Sequence, residues 1–277
     1  MISEKNPYEL RDFLEKKVLQ YNQPDFIDDD PISIPHSFHK KQDIEIAGFF
    51  AAIFSWGNRT TIIRKSRELM EALDLAPHDF VLNHRSKDLK RLQHFKHRTF
   101  NATDLFYFIH FLQDHYRKHD SLEAAFLPAV KRPLIAKGSV AVITDPTLGP
   151  GEVRNALSVF YTRFFNLPDA PYRTRKHISS PEKNSSCKRL NMYLRWMVRT
   201  DNKGVDFGLW KKISPAQLIC PVDLHVARVA RKFDLIKRKP TDWQTAMELT
   251  QALRIMDSSD PVKYDFALFG LGVMEKY

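Results

Sequence analysis

A lysine and an aspartate at the heads of two amphipathic segments are the residues of this chain best suited to chemistry. From Cys187 to about residue 200, Leu190, Tyr193, Leu194 and Met197 recur at the i, i+3, i+4 and i+7 spacing of one helix face. The same spacing puts Lys188, Arg195 and Arg199 on the other side. Asn184, Ser185 or Ser186 is suited to cap the start, which leaves Lys188 in the first turn. There the positive end of the helix dipole, with any burial, drives an ammonium toward the neutral amine that a nucleophile requires. In the second segment Val226, Val229, Ala230 and Phe233 make the apolar stripe, Arg228, Arg231 and Lys232 the basic one, and Asp223 sits at the N-cap after Pro221-Val222. Taken alone, the three basic residues of the first segment read as a solvated face and Asp223 as a helix cap worth about 1 kcal/mol.

The second segment, Pro221-Val222-Asp223-Leu224-His225-Val226-Ala227-Arg228-Val229, resembles the Val-Asp-Thr-His-x-x-Arg-Val signature of the helix-hairpin-helix-GPD DNA glycosylases. Asp223, His225, Arg228 and Val229 fit the pattern, and Leu224 replaces the usual threonine. Cys187-Lys188-Arg189 is similar to the lysine-bearing helix start of the bifunctional glycosylase-lyases. The Leu-Pro-Gly-x-Gly hairpin usual before that lysine is absent, and Ser179 to Ser186 stands in its place. Lys188 and Asp223 lie 35 positions apart, a spacing nearer to the divergent archaeal 8-oxoguanine glycosylases than to endonuclease III.

The resemblance implies an all-α, two-lobed glycosylase-like fold with a modified or missing helix-hairpin-helix turn. It implies base-excision repair of damaged duplex DNA: Lys188 attacks the sugar, Asp223 moves a proton and steadies the sugar cation, and no cofactor or metal is needed. An oxidised purine is the substrate expected from the archaeal likeness, with strand cleavage following from the Schiff base. Further similarity lies in Asp260 to Gly272, which resembles the closing helix of 8-oxoguanine-type members and offers Phe266 to the base pocket. Ile53 to Thr61 resembles the early helix junction whose glutamine reaches into DNA in endonuclease III. Gly57 stands at that place, so Asn58 or Arg59 is expected to carry the contact, with Trp56 stacking on a base. Arg175, Lys176, Arg189, Arg195 and Arg228 are the remaining expected DNA contacts. As a whole, over residues 43–272, the chain resembles a bacterial family forming a distant branch of these enzymes.

Composition sets outer limits. Forty-three Lys and Arg against 33 Asp and Glu give a net charge of +10, which favours a polyanionic partner. Acidic residues gather early, at Asp25 and Asp28-Asp29-Asp30, whereas Arg173, Arg175, Lys176, Lys183, Lys188, Arg189, Arg195 and Arg199 crowd the section before Asp223. Two cysteines, Cys187 and Cys220, preclude a disulfide framework and a four-cysteine cluster within one chain. Cys187 has a rival claim, since a thiol in a first helical turn can have a lowered pKa. His94 and His97 at i, i+3 read as a surface pair rather than a zinc site. No run reaches the ~20 apolar residues of a membrane span, and Met1 to Pro7 has no apolar signal region, so a cytoplasmic monomer without membrane contact is expected.

With only nine glycines and pervasive 3.6-residue apolar spacing, helices are expected near 7–22, 43–55, 58–74, 102–118, 150–165, 187–200, 222–235, 242–256 and 260–270. Thr241 with Gln244 has the form of a capping box, and Asp260-Pro261 offers a capping carboxylate before a first-turn proline. Ser139 to Thr144 is the best strand candidate. Residues 23–42 and 166–186 read as loops within one globular unit, with a central lobe at 43–165 and a lobe at 187–277 carrying the lysine and aspartate. Two other readings stand beside the glycosylase: a nucleic-acid-binding module that keeps the fold without the reaction, and a helical protein-interaction domain.

Overall fold

The computed structural model describes residues 7–128 and 153–277. The strand expected at 139–144, and the first residues of the helix expected at 150–165, lie outside that range. The longer elements are α1 (Pro7–Tyr21), α2 (Lys41–Phe54), α3 (Arg59–Ala72), α4 (Ala102–Tyr116), α5 (Val153–Phe164), α6 (Lys188–Val198), α7 (Leu224–Lys232), α8 (Trp243–Met256) and α9 (Tyr264–Val273). The described chain is thus mostly helical. Short helices at Ser33–His36, Pro77–Asn83, Ser86–Leu89 and Glu123–Phe126 escaped the sequence reading because too few residues carry their periodicity. So did a small antiparallel hairpin, β1 (Lys96–His97) and β2 (Phe100–Asn101), with His97 paired to Phe100.

The core is built on α2. Every residue from Ile44 to Phe54 is buried, as a helix apolar on all sides must be. The exception to its apolar character is Glu45, whose carboxylate accepts from Tyr116 Oη at 2.8 Å, Trp210 Nε1 at 2.7 Å and the Leu122 amide at 3.0 Å. Those donors satisfy a buried charge that would otherwise be strongly unfavourable, and they tie α4 and the 199–223 loop to one point.

Helix α6 lies directly on α2, and α2's sequence permits it. A side chain at Gly48 would press on Met197 Cε at 3.0 Å and on Tyr193 at 3.4 Å, so the missing Cβ sets how closely the helices approach. Tyr193 Oη donates to the Glu45 carbonyl at 2.9 Å, and Arg189 Nη1 donates to the Ile53 carbonyl at 2.6 Å at the C-terminal end of α2. These bonds hold the helix that carries Lys188. Helix α9 packs on both α1 and α7, joining the N-terminal helix to the C-terminal part of the chain.

Two expected caps are displaced. The start of α8 is capped by Asp242, not Thr241, its Oδ1 accepting from the Thr245 amide at 3.0 Å. Asp260 makes no cap bond; it pairs instead with Arg199, Oδ2 to Nε at 2.8 Å, because a buried guanidinium outbids a backbone amide for the carboxylate.

Candidate active site

The turn before α6 contains no glycine, yet its backbone does what glycines usually do. Asn184 and Cys187 both adopt left-handed conformations, with φ of 54° and 52°. The Cys187 amide donates to Ser185 Oγ at 3.2 Å, and Asn191 Nδ2 donates to the Ser186 carbonyl at 3.0 Å, so neighbouring side chains hold the turn. Cys187 is the N-cap, without a side-chain bond to the helix, and Lys188 is the first helical residue. The serines and Asn184 were expected to cap the helix itself; they brace the turn instead. Ser185 bridges Asp242 across the start of α8.

The 199–223 loop returns along α6. Phe207 and Trp210 amides donate to the Trp196 and Met197 carbonyls at 2.8 and 2.9 Å, closing the C-terminal end of α6. Further on, the Cys220 amide donates to Thr250 Oγ1 at 3.0 Å, and Ser186 Oγ contacts the Val222 carbonyl at 3.5 Å. That last contact joins the residue two before Lys188 to the residue just before Asp223.

The result is a lysine and a carboxylate side by side. Lys188 Nζ lies 3.5 Å from Asp223 Oδ2, and both side chains are partly open to solvent. Asp223 divides its oxygens: Oδ1 accepts from the His225 and Val226 amides at 2.8 and 2.9 Å, capping α7, while Oδ2 faces the amine. Both residues line a cleft of about 430 Å³ with Trp56, Gly57, Arg59, Leu224 and Phe269. That volume lies within the range of ~300–1,000 Å³ usual for small-molecule sites. Behind it a cavity of about 30 Å³ shares Asp30, Lys188, Met192, Asp223 and Phe269 and reaches Asp265. It has room for little more than a water, so any sizeable ligand must sit in the outer cleft. A more open groove of about 780 Å³ runs beside α3 but touches neither Lys188 nor Asp223, and its lining alternates Arg59, Arg64 and Arg67 with Asp28, Asp29 and Glu68.

The inner end is acidic. Burial pushes the Asp265 carboxyl up to about 6, with the charge of Asp223 acting the same way and Arg195 opposing. Burial also raises Asp30, against the Ile32 amide and the charges of Arg195, Arg59 and Lys188. Among the described residues, no group of three His, Cys, Asp or Glu side chains is arranged to hold a metal ion.

Several residues expected to meet a ligand are inside the protein. Arg195 is 4% exposed, bound to Asp265 at 2.5 Å and Asp206 at 3.3 Å. Arg199 is likewise buried among Asp201, Asp206 and Asp260. The face of α6 expected to be solvated is therefore an internal ion-pair layer. Both guanidiniums lie over Phe266, which is 1% exposed and belongs to the core, not to a base pocket. Arg189 is spent on the Ile53 carbonyl, and burial lowers its pKa to about 10. Arg228 caps the end of α9 through the Gly272 and Tyr277 carbonyls at 2.8 and 3.1 Å. Arg175 lies over the Phe165 ring and against Tyr161 Oη, while Lys176 is exposed. Asn58 is occupied as the N-cap of α3, accepting from Thr61 at 3.1 Å. Trp56 and Arg59 do line the cleft, Arg59 lying over Phe269 at 5.4 Å.

Cys187 loses its rival claim: it is buried, and desolvation pushes its thiol up to about 11. His97 is no surface residue either, since Nε2 meets the Phe54 carbonyl at 3.0 Å in the core. Asp30, Asp265 and Phe269 join the site unannounced. Asp265 and Phe269 lay within a segment already singled out, but the resemblance offered Phe266; Asp30 sits in an acidic loop with no period to mark it as the buried member.

The chain belongs to a family of proteins of unknown function, DUF2400, whose sequence profile matches residues 30–274. No curated protein and no solved structure matches it.

Proposed function

We propose that this DUF2400 protein is a base-excision DNA glycosylase with lyase activity, acting through Lys188 and Asp223. The observation that carries the reading is the 3.5 Å approach of amine and carboxylate inside a cleft large enough for an extruded nucleotide. Asp223 Oδ2 accepts a proton from Lys188, freeing the amine lone pair while Oδ1 remains fixed by the two α7 amides. The amine attacks C1′ of the extruded nucleotide. As the new C–N bond forms, the bond from C1′ to the base breaks, and the base leaves with that electron pair and takes up the proton held by Asp223, which returns to the carboxylate. Positive charge that builds on the sugar meets Asp223 and the buried carboxyls of Asp30 and Asp265 behind it. Loss of one of the two protons on the attached nitrogen, and opening of the sugar ring with that proton passing to O4′, give an iminium that keeps the other; β-elimination then removes a C2′ proton and expels the 3′ phosphate, cleaving the strand.

Damaged duplex DNA is the partner this mechanism requires, and an oxidised purine is the substrate class we favour. The loss of binding with added salt is expected to be shallower than the net charge suggests, because Arg195 and Arg199 are paired internally. Borohydride trapping on duplexes containing 8-oxoguanine, uracil, thymine glycol or an abasic site tests the reading. A covalent adduct that disappears in Lys188→Gln, with DNA affinity retained within about twofold, supports it. Salt-sensitive DNA binding without any adduct would leave the binding module as the better account.

A further inference from the structure

The chemistry at Lys188 ends with the cleaved strand still bound to the lysine, which must be freed for a second turnover. The inner cavity bears on that step. Its walls include Lys188, Asp223, Asp30, Asp265, Val226 and Trp196. Trp196 is fully buried, and its indole N–H finds no acceptor in the protein. A buried donor left in that state is unfavourable, and a water in a neighbouring polar cavity satisfies it. Each of the two inner carboxyls spends one oxygen on the protein: Asp265 Oδ2 accepts from Arg195 Nη1 at 2.5 Å, and Asp30 Oδ1 accepts from the Ile32 amide at 3.0 Å. Those bonds leave the second oxygen of each for a water to donate to. At about 30 Å³ the cavity exceeds the roughly 10–15 Å³ that one water needs, and it is lined by both donors and acceptors.

We infer that this cavity holds the water that hydrolyses the Schiff base, with the Trp196 N–H positioning it and Asp265 taking its proton. This rests on the glycosylase reading of the cleft. While the strand is bound to Lys188, the nucleotide fills the outer cleft and keeps bulk water from that side, whereas the inner cavity reaches Lys188 from the other. The water oxygen bonds to C1′, the C=N pair moves to nitrogen, and a proton of the water passes to Asp265. Asp265 returns that proton to nitrogen. The C–N bond then breaks with its electrons on nitrogen, C1′ becomes the aldehyde carbonyl, and its hydroxyl proton passes through Asp223 to the amine. Lys188 is regained as an ammonium. Held at about 6 by burial, the Asp265 carboxyl is ionised at neutral pH yet basic enough to take a proton there. It is faced by Arg195 and Lys188 from α6, Asp223 at the head of α7, Asp30 across the cavity, and Cys220 and Asp206 from the 199–223 loop, Asp206 through Arg195.

The test uses the full chain on a labelled duplex carrying an abasic site. Val226→Ile fills the cavity while its backbone amide still serves the Asp223 cap, and Trp196→Phe keeps a ring but removes the N–H. In both variants the borohydride-trapped adduct should form at a single-turnover rate within about twofold of wild type. Hydrolysis is read by a chase: adduct is formed, excess unlabelled duplex is added, and borohydride follows after varied delays. Decay of the trappable species should be about tenfold slower than in wild type. Equal slowing of formation and decay would mark a structural defect and overturn the inference. So would wild-type decay in either variant, the sign that bulk water frees the lysine. Absence of any adduct with wild-type protein would instead remove the glycosylase reading, and this inference with it.

Discussion

Asp223 serves two purposes with two oxygens, and a single substitution separates them. An asparagine keeps a side-chain oxygen for the His225 and Val226 amides but cannot take a proton from Lys188. Asp223→Asn should therefore change unfolding free energy by less than about 0.5 kcal/mol while lowering single-turnover rates by about 10²–10⁴. Asp223→Ala should add a loss of about 1 kcal/mol from the vacated cap. Chemical denaturation beside single-turnover assays reads both effects; equal activity in the asparagine variant would reduce Asp223 to a cap. That Lys188 and Asp223 stand at helix heads was legible in the sequence, because a few adjacent residues reveal the element and its polarity; their selection as a pair came from the resemblance. Arg195 and Phe266 were misjudged for the opposite reason. Whether an arginine on a helix is solvated depends on its partners, and the one that buries Arg195, Asp265, is 70 residues away.

Among the elements, the turn from Ser179 to Cys187 decides where Lys188 points. It achieves a reversal without glycine by holding Asn184 and Cys187 at positive φ, and asparagine tolerates that region better than most residues. Asn184→Gly should be neutral or slightly stabilising, the eased backbone offsetting the lost contact to Asp242. Asn184→Val should cost about 1–2 kcal/mol and also lower the trapping rate, since the strain falls on the turn that orients the lysine. Thermal unfolding with parallel trapping distinguishes the cases, and a valine variant with wild-type values in both would show that the turn is slack. The absence of a familiar glycine hairpin from the sequence was thus no guide to the backbone path, because side-chain bonds from Ser185 and Asn191 hold it.

Across the whole molecule, stability and the site share one electrostatic layer. Asp265 is bound to Arg195, feels Asp223, and is held at about 6, against an ordinary 3.8, chiefly by burial. Between those values the folded chain keeps a proton that the unfolded chain has released, so this group's contribution makes stability fall as pH rises through the interval. Denaturant unfolding from about pH 4 to about pH 7 should show that slope in the wild type and a shallower one in Asp265→Asn; an identical slope in both would place the proton elsewhere. The helical class and the position of most long helices followed from the sequence, because helix periodicity and capping are local properties, whereas the choice of Lys188 and Asp223 came from the resemblance of their segments to a known family. The placement of Lys188 Nζ 3.5 Å from Asp223 Oδ2 followed from neither. It depends on Gly48 admitting α6 to α2, on Ser186 meeting Val222, and on the 199–223 loop closing back over α6. Likewise the inward turn of the basic residues follows from which distant carboxylates and rings each guanidinium reaches, and only packing in three dimensions determines that.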